Sequence, residues 1–293
     1  MSDFLGTNFP VLEVETVGDD LFSYWVEAPD IVNAYGPGQF VIIRLDTDGE
    51  RIPLTIVDVD PERGALQLIV QVVGRTTAQM ALLKAGDTIL DMVGPLGEAI
   101  PIEKKDEPFV IVGGGVGIAP IYPKAKALKE IGNRVITIIG ARTKDLLMLV
   151  DEMEAVSDEF HLVTDDGSAG RKALVTEPLD EVLTREGTVA EVIAVGPPIM
   201  MKFCSLTAEK HGAPVLVSLN PIMIDGTGMC GGCRVSLGDE VKFACVDGPC
   251  FDGTKIDWEE MITRLGAFKS EEKEAMDHWC RMREGAAAKG SQA

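Results

Sequence analysis

The chain has 293 residues, 46% of them hydrophobic and 25% charged, and 47 acidic against 27 basic side chains leave a net charge of −20. That length is enough for two or three domains with real cores, and the acidity excludes nucleic acid as a ligand, because phosphate contacts need Lys and Arg. The start, MSDFLGTNFPVLEV, is neither basic nor long and apolar, and no apolar run reaches about 18 residues, so the expectation is a cytoplasmic protein with no signal peptide and no membrane span.

From Val11 to Gly97 the sequence reads as short strands: Val11–Thr16, Leu21–Glu27, Gln39–Leu45, Leu54–Val59 and Ala65–Val73, then Thr88–Val93. Turn residues part them at Gly18-Asp19-Asp20, Gly36-Pro37-Gly38, Asp46–Gly49 and Asp60–Gly64. Strands at this spacing predict a small antiparallel β-barrel. One helix interrupts it, from Thr76 to Lys84, and Gly86 stops it. From Glu107 strands and helices alternate. Strands are expected at Phe109–Val112, Arg134–Gly140, His161–Thr164, Glu191–Val195 and Val215–Leu219, and helices at Ala119–Ile131, Asp145–Glu154, Lys172–Leu183 and Pro198–His211. That alternation predicts a doubly wound parallel α/β sheet. A cysteine-bearing loop follows the last of these strands. The tail from Trp258 to Arg283 reads as helical and charged, fraying from Gly285.

In the barrel, Arg51-Ile52-Pro53-Leu54-Thr55 sits on a strand. An Arg at a strand start can neutralise a pyrophosphate, and a hydroxyl further on can meet a flavin edge. A solvated Arg and an ordinary strand Thr is the competing reading. Gly74-Arg75-Thr76-Thr77 opens a helix after an apolar strand, where free N–H groups suit a phosphate; a simple N-cap by Thr76 explains the same residues. Both together, ahead of a nucleotide-binding fold, suggest FAD. Val112-Gly113-Gly114-Gly115-Val116-Gly117-Ile118-Ala119-Pro120 joins a strand to a helix through a Gly-rich turn, the place where backbone approaches a dinucleotide. A tight turn alone is the alternative. Thr164-Asp165-Asp166-Gly167-Ser168 ends a later strand, so its carboxylates can accept from ribose hydroxyls or can merely cap a solvated turn. Gly196-Pro197-Pro198 ends another strand at the same edge. Arg142, at the end of the second strand, hints at a 2′-phosphate and so at NADP by the ordinary dinucleotide rule.

Residues Asp225 to Cys250, DGTGMCGGCRVSLGDEVKFACVDGPC, hold four of the six cysteines. Two residues separate Cys230 from Cys233, eleven separate Cys233 from Cys245, and four separate Asp225 from Cys230. A compact Cys loop plus one distant Cys is the plant-type [2Fe–2S] layout, here with Asp225 in the first position. A zinc ribbon on Cys230, Cys233, Cys245 and Cys250 competes, but its pairs usually share a two-residue spacing. A structural disulfide conflicts with a reducing cytosol. Cys204 and Cys280 read as buried or spare thiols.

Barrel, nucleotide unit and cysteine loop in this order resemble the ferredoxin–NADP reductase superfamily. The similar branch carries a C-terminal [2Fe–2S] loop. It includes the electron-transfer subunits of dihydroorotate dehydrogenase, of sulfide dehydrogenase and of the electron-bifurcating NADH-dependent reduced ferredoxin:NADP oxidoreductases. The resemblance spans about Val11 to Gly253. It implies FAD on Arg51, Pro53, Leu54, Thr55, Gly74, Thr76 and Thr77, with Thr55 nearest the reaction. It implies NAD(H) on Gly113, Gly114, Gly115, Val116, Gly117, Ala119, Pro120, Asp165, Asp166 and Gly167, and Arg142, Gly196 and Pro197 join these as nucleotide-site candidates by their place at strand ends. It implies cluster ligation by Asp225, Cys230, Cys233 and Cys245. Asp for Cys at the first ligand is the mark of the bifurcating subunit, and NADH, rather than the NADP that Arg142 suggests, is then expected here. Cys250 departs from the family, which carries Glu there, and leaves open whether Cys250 displaces Asp225. The implied organisation is 1–104 flavin barrel, 105–220 nucleotide unit, 221–256 cluster loop and 257–293 helical tail. The implied partner is a larger flavoprotein subunit with [4Fe–4S] clusters in a heterodimer, with ferredoxin engaged indirectly. The cysteine loop and the helical tail from Trp258 are the expected docking elements, and the apolar stripe Trp258, Met261, Leu265, Phe268 and Trp279 fits docking and packing on its own domain equally.

Overall fold

The computed structural model describes residues 7–290. Its first part is an antiparallel sheet of seven strands: β1 (Thr7–Gly18), β2 (Leu21–Glu27), β3 (Phe40–Arg44), β4 (Ile52–Thr55), β5 (Asp58–Asp60), β6 (Ala65–Gln71) and β7 (Thr88–Leu96). Their order is β4-β3-β7-β1-β2-β6-β5. The strand expected over 54–59 is broken in two at Ile56 and Val57, where the barrel closes. Ile56 N donates to Gln39 O at 3.2 Å and Val57 N donates to Gln67 O at 2.9 Å. These two consecutive amides bond to segments near opposite ends of the sheet order, one just ahead of β3 and one in β6, and so bring those ends together. On β6, Leu66, Leu68 and Val70 point into the barrel core while Ile69 points out toward the second sheet, as the two-residue period of a strand requires.

Two short helices belong to this unit. The first, α1 (Pro29–Ala34), opens on Pro at its first turn and was not anticipated. The second, α2 (Arg75–Met80), is shorter than the expected 76–84; beyond Met80 the chain runs through turns to Gly86.

The second sheet holds β8 (Phe109–Gly114), β9 (Val135–Ala141), β10 (Glu159–Thr164), β11 (Arg171–Lys172), β12 (Glu191–Val195), β13 (Val215–Ser218) and β16 (Cys250–Asp252). Between β13 and β16 lies a hairpin of β14 (Arg234–Leu237) and β15 (Glu240–Phe243). The sheet order is β11-β10-β9-β8-β12-β13-β16, parallel except for β16. Its helices are α3 (Ile118–Glu130), α4 (Val150–Ala155), α5 (Thr176–Glu186) and α6 (Pro198–Lys210). Strand β8 is apolar throughout and β9 is apolar but for Thr137, and both are buried on both faces, as covered parallel strands are.

Three expectations are corrected. The helix expected over 145–154 is a single tight turn at 144–146 followed by α4. Lys172 lies in β11, and α5 begins only at Thr176. The cysteine loop does not end the sheet: it leaves after β13 and returns as β16, pairing Ser218 with Cys250.

The tail forms α7 (Trp258–Leu265) and α8 (Lys269–Gly290), so helix continues past the fray expected at Gly285. Asp257 caps α7 by accepting from the Glu259 and Glu260 amides. Trp258 and Met261 are buried in the core beneath the cysteine loop and Leu265 packs against it. Of the expected docking stripe, these three therefore face their own domain, and Phe268 is exposed. The tail then runs back to the barrel, where α8 packs beside α2.

Candidate functional site

The sheet order places β8 beside β12, and the chain leaves this pair in opposite directions along the sheet. In an open α/β sheet the crevice above the carboxyl ends of such a pair is where ligands sit. A cleft of about 940 Å³ lies there, a size that holds a large cofactor. One wall is Gly114, Gly115, Val116, Gly117, Ala119 and Pro120, with Gly196 and Pro197 beside them. Gly113 lies just beneath, inside β8. At Gly117 a Cβ would fall 2.3 Å from the Val195 carbonyl oxygen, so this glycine serves helix-to-strand packing. Gly115 differs: its φ is +55° and a Cβ there would meet nothing within 4 Å. Its backbone is open to whatever fills the cleft, which is the close approach a phosphate needs.

Arg142 and Asp165 also border the cleft, from the adjoining ends of β9 and β10. Asp166 does not. Its carboxylate accepts from the Ser168 hydroxyl at 2.6 Å and the Ser168 amide at 2.9 Å, which holds it below the ordinary carboxylate range. Gly167 is the left-handed corner of that turn, with φ +81°.

The opposite wall is the barrel: Pro53, Leu54 and Thr55 from β4, with Phe40, Val57, Ile69 and Gln71. Arg51, Gly74, Thr76 and Thr77 lie beyond the cleft but close together. The Thr76 hydroxyl donates to Glu50 at 3.1 Å, bringing the Arg51 segment against the start of α2. The Thr77 hydroxyl accepts from Gly74 N and donates to Gly74 O, each at 3.0 Å, which ties down the start of α2. A Cβ at Gly74 would again meet nothing within 4 Å.

Asn220, Met223 and Pro249 form a third wall that the sequence reading did not assign. They flank the cysteine loop, and the signal was present as the segment SLNPIM just ahead of Asp225. Met223 also belongs to the core that contains Cys233 and Cys245. The loop is tied to the barrel as well: Gly97 N donates to Cys245 O at 3.1 Å.

Inside the loop, Cys233 and Cys245 are both 1% exposed. Burial, then a shared hydrogen bond and the charge of Cys233, push the Cys245 thiol up, and the Asp225 carboxylate adds to this. A buried pair of thiols in mutual contact is a donor set that a metal or cluster would hold as thiolates. Asp225 Oδ1 accepts from Thr227 N and Oδ2 from Cys230 N, each at 2.9 Å. The Thr227 amide leads in holding its carboxyl below the ordinary range. Cys230 is exposed at the rim. Among the described residues no three His, Cys, Asp or Glu side chains converge on one point; four ligands shared by two irons need only pairs. Cys250 is held in β16, half-buried against the core of the nucleotide unit.

Barrel, switch-point cleft and cysteine loop define a reductase that joins a nucleotide site to a metal-cluster site. Residues 111–205 match the oxidoreductase NAD-binding domain and residues 220–257 match the iron–sulfur cluster binding domain of dihydroorotate dehydrogenase B. The chain is 54% identical over 257 residues to the dihydroorotate dehydrogenase B (NAD(+)) electron transfer subunit homolog of Thermotoga maritima, covering 88% of this chain and 90% of that one. It is 34% identical to the dihydroorotate dehydrogenase B (NAD(+)) electron transfer subunit of Geobacillus kaustophilus, over 75% of this chain and 86% of that one. A solved structure of an NADH-dependent reduced ferredoxin–NADP oxidoreductase, described for flavin-based electron bifurcation, superposes with a TM-score of 0.87 at 49% identity. That match covers 96% of this chain and all 100% of the other. The chain belongs to this family of electron-transfer subunits: it is an NAD(P)H-dependent flavin and iron–sulfur oxidoreductase subunit of the ferredoxin–NADP reductase superfamily. Among the described residues no helix is long and apolar enough to cross a membrane.

Proposed function

We propose that this chain is the NAD(H)-handling subunit of an electron-bifurcating NADH/ferredoxin/NADP oxidoreductase, paired with a larger flavoprotein subunit that carries [4Fe–4S] clusters. When bound, FAD supplies hydride exchange with NAD(H), and a [2Fe–2S] cluster supplies one-electron transfer. The chain's residues bind, orient and connect. Gly115 and the start of α3 would take the nucleotide phosphates. Asp165 would accept from ribose hydroxyls, and its charge would oppose a 2′-phosphate, so NAD(H) is favoured although Arg142 stands beside it. Thr55 would hydrogen-bond the flavin edge, with Pro53 and Leu54 beside it, and Arg51, Gly74, Thr76 and Thr77 would hold the flavin phosphates. Asp225, Cys230, Cys233 and Cys245 would ligate the cluster. Cys250 sits in the sheet, which favours Asp225 as the fourth ligand. The segments 1–104, 105–220, 221–256 and 257–293 are read as flavin, nucleotide, cluster and tail units.

The observation that carries this reading is the third wall of the cleft. Met223 borders the cleft and Asp225 is two residues on; two residues span at most about 7 Å. The chain therefore holds the nucleotide–flavin cleft and the cluster loop side by side. Exposed Ile224, Met229, Val241 and Val246 surround this loop and fit a partner's docking face better than the buried stripe of α7 does.

The test is anaerobic expression of the chain alone, followed by absorption spectroscopy, sizing and assay. Flavin and cluster absorption with only dye-linked diaphorase activity is the expected result. A colourless zinc protein, or a monomer that by itself couples NADH oxidation to ferredoxin and NADP chemistry, overturns the proposal.

A further inference from the structure

The two facing walls of the cleft are joined by one ion pair. Lys126 Nζ, on α3, lies 2.9 Å from Asp58 Oδ1 and 3.0 Å from Oδ2, on β5. Among the described residues it is the only salt bridge between the barrel strands and the nucleotide unit; the others stay within one unit, apart from the local pair of Lys105 with Glu103 in the segment that connects the two. Much of the rest of this contact is apolar, with Leu21, Val57 and Ile69 from the barrel in one cluster with Ile118, Ile121 and Ala125 from α3, and the buried Lys124 of α3 lays its stem beside Gly38. Apolar contact is non-directional. Two such surfaces can slide by small amounts at little cost, whereas a two-oxygen ion pair fixes one point on each.

Both anchor points lead straight to the cleft. Asp58 follows Val57, a cleft residue, and comes three residues after Thr55. Lys126 stands on the helix whose first turn, Ile118 to Pro120, continues the Gly-rich turn. From Ile118 to Lys126 is about 12 Å along the helix axis at about 1.5 Å per residue. The ammonium group is steadied from its own helix, 5.8 Å from the centre of the Tyr122 ring. Side-chain exposures of 35% and 25% leave the pair partly in water. As a source of stability it is therefore weak. Its placement gives it another use.

We infer that the Asp58–Lys126 pair is a positioning device: it sets the distance and angle between the nucleotide-bearing turn and the barrel wall that carries Thr55. The inference rests on the reading that NADH reduces a flavin in this cleft. Hydride transfer moves two electrons and one proton together between two stacked partners, so its rate depends on their separation. A misplacement of about 1 Å from a distant change can cost up to about 100-fold in rate.

The test is anaerobic stopped-flow reduction of the flavin in the purified holoprotein complex by NADH and by NADH deuterated at C4. Lys126→Met keeps the aliphatic stem and removes the charge. The expected result is about a tenfold lower limiting rate of flavin reduction, an altered deuterium isotope effect, and an NADH dissociation constant within about twofold of wild type. Lys126→Arg and the exchanged pair Asp58→Lys with Lys126→Asp should recover most of the rate. Asp58→Asn gives the same reading should Lys126→Met fold poorly. An unchanged limiting rate and isotope effect in Lys126→Met, whatever happens to its melting temperature, overturns the inference. So does a slowed variant that neither Arg nor the exchanged pair rescues. A wild-type complex whose flavin NADH fails to bleach is a different failure: it removes the underlying reading of the cleft and this inference with it.

Discussion

The cleft and the cysteine loop are neighbours built in opposite ways. The cleft borrows its walls from β4 and β6 of the barrel, from the ends of β8, β9, β10 and β12, and from the segment Ser218 to Met223. These walls are far apart in sequence and come from two different sheets. The loop is one contiguous stretch, closed by local hydrogen bonds such as Asp225 to the Thr227 and Cys230 amides, and lined by thiols from the same stretch. A site of the second kind shows itself in residue spacing. One of the first kind exists only once two sheets have docked. The comparison also predicts that the two regions fail separately.

Removing a buried thiol gives the largest expected effect. Cys245→Ser should abolish the cluster, with iron and acid-labile sulfide near zero, while flavin content stays near that of the wild type. Loss of flavin as well would show that the regions are not separable. Next is the first ligand. Asp225→Cys should keep a cluster but shift its reduction potential, because thiolate and carboxylate donate differently to iron. If Asp225→Ala leaves EPR spectrum, potential and iron content as they were, Asp225 is not a ligand, and the loop's local logic is broken at its first residue.

On the cleft side the effects should be smaller, because each wall supplies only part of the site. Arg51→Ala removes a charge-assisted phosphate contact worth roughly 1.5–3 kcal/mol. Flavin retention on dilution should fall about tenfold or more, read by fluorescence of released FAD, with cluster content unchanged. Full occupancy in the variant, or FMN in place of FAD, would contradict the assignment. Thr55→Val removes one hydrogen bond, about 0.5–1.5 kcal/mol. The expected outcome is a loss of about threefold to tenfold in flavin reduction rate at unaltered flavin content. A rate equal to wild type would mean that Thr55 only lines the wall.

By itself the sequence determined the strands and helices with strong apolar runs, such as Leu21–Glu27 and Glu191–Val195, whose bounds match the structure. It also determined the Gly-rich turn and the cysteine spacing, because these depend on residues a few positions apart. It misjudged segments whose state depends on distant partners. The stretch 54–59 is divided because its first half pairs with β3 and its second with β6, at opposite ends of one sheet order, and Lys172 is a strand residue because β10 lies beside it. Trp258 and Met261, equally consistent with an interface, turned inward because the cluster loop leaves an apolar floor for α7 to cover. Asp165 and Asp166 are adjacent and chemically alike. Only the fold gave one to the cleft and the other to a serine turn, since a side chain's direction is set by the strand end that carries it. The same holds for Asp58 and Lys126, ordinary surface charges by sequence, which pair because β5 and α3 meet across the one contact that shapes the cleft.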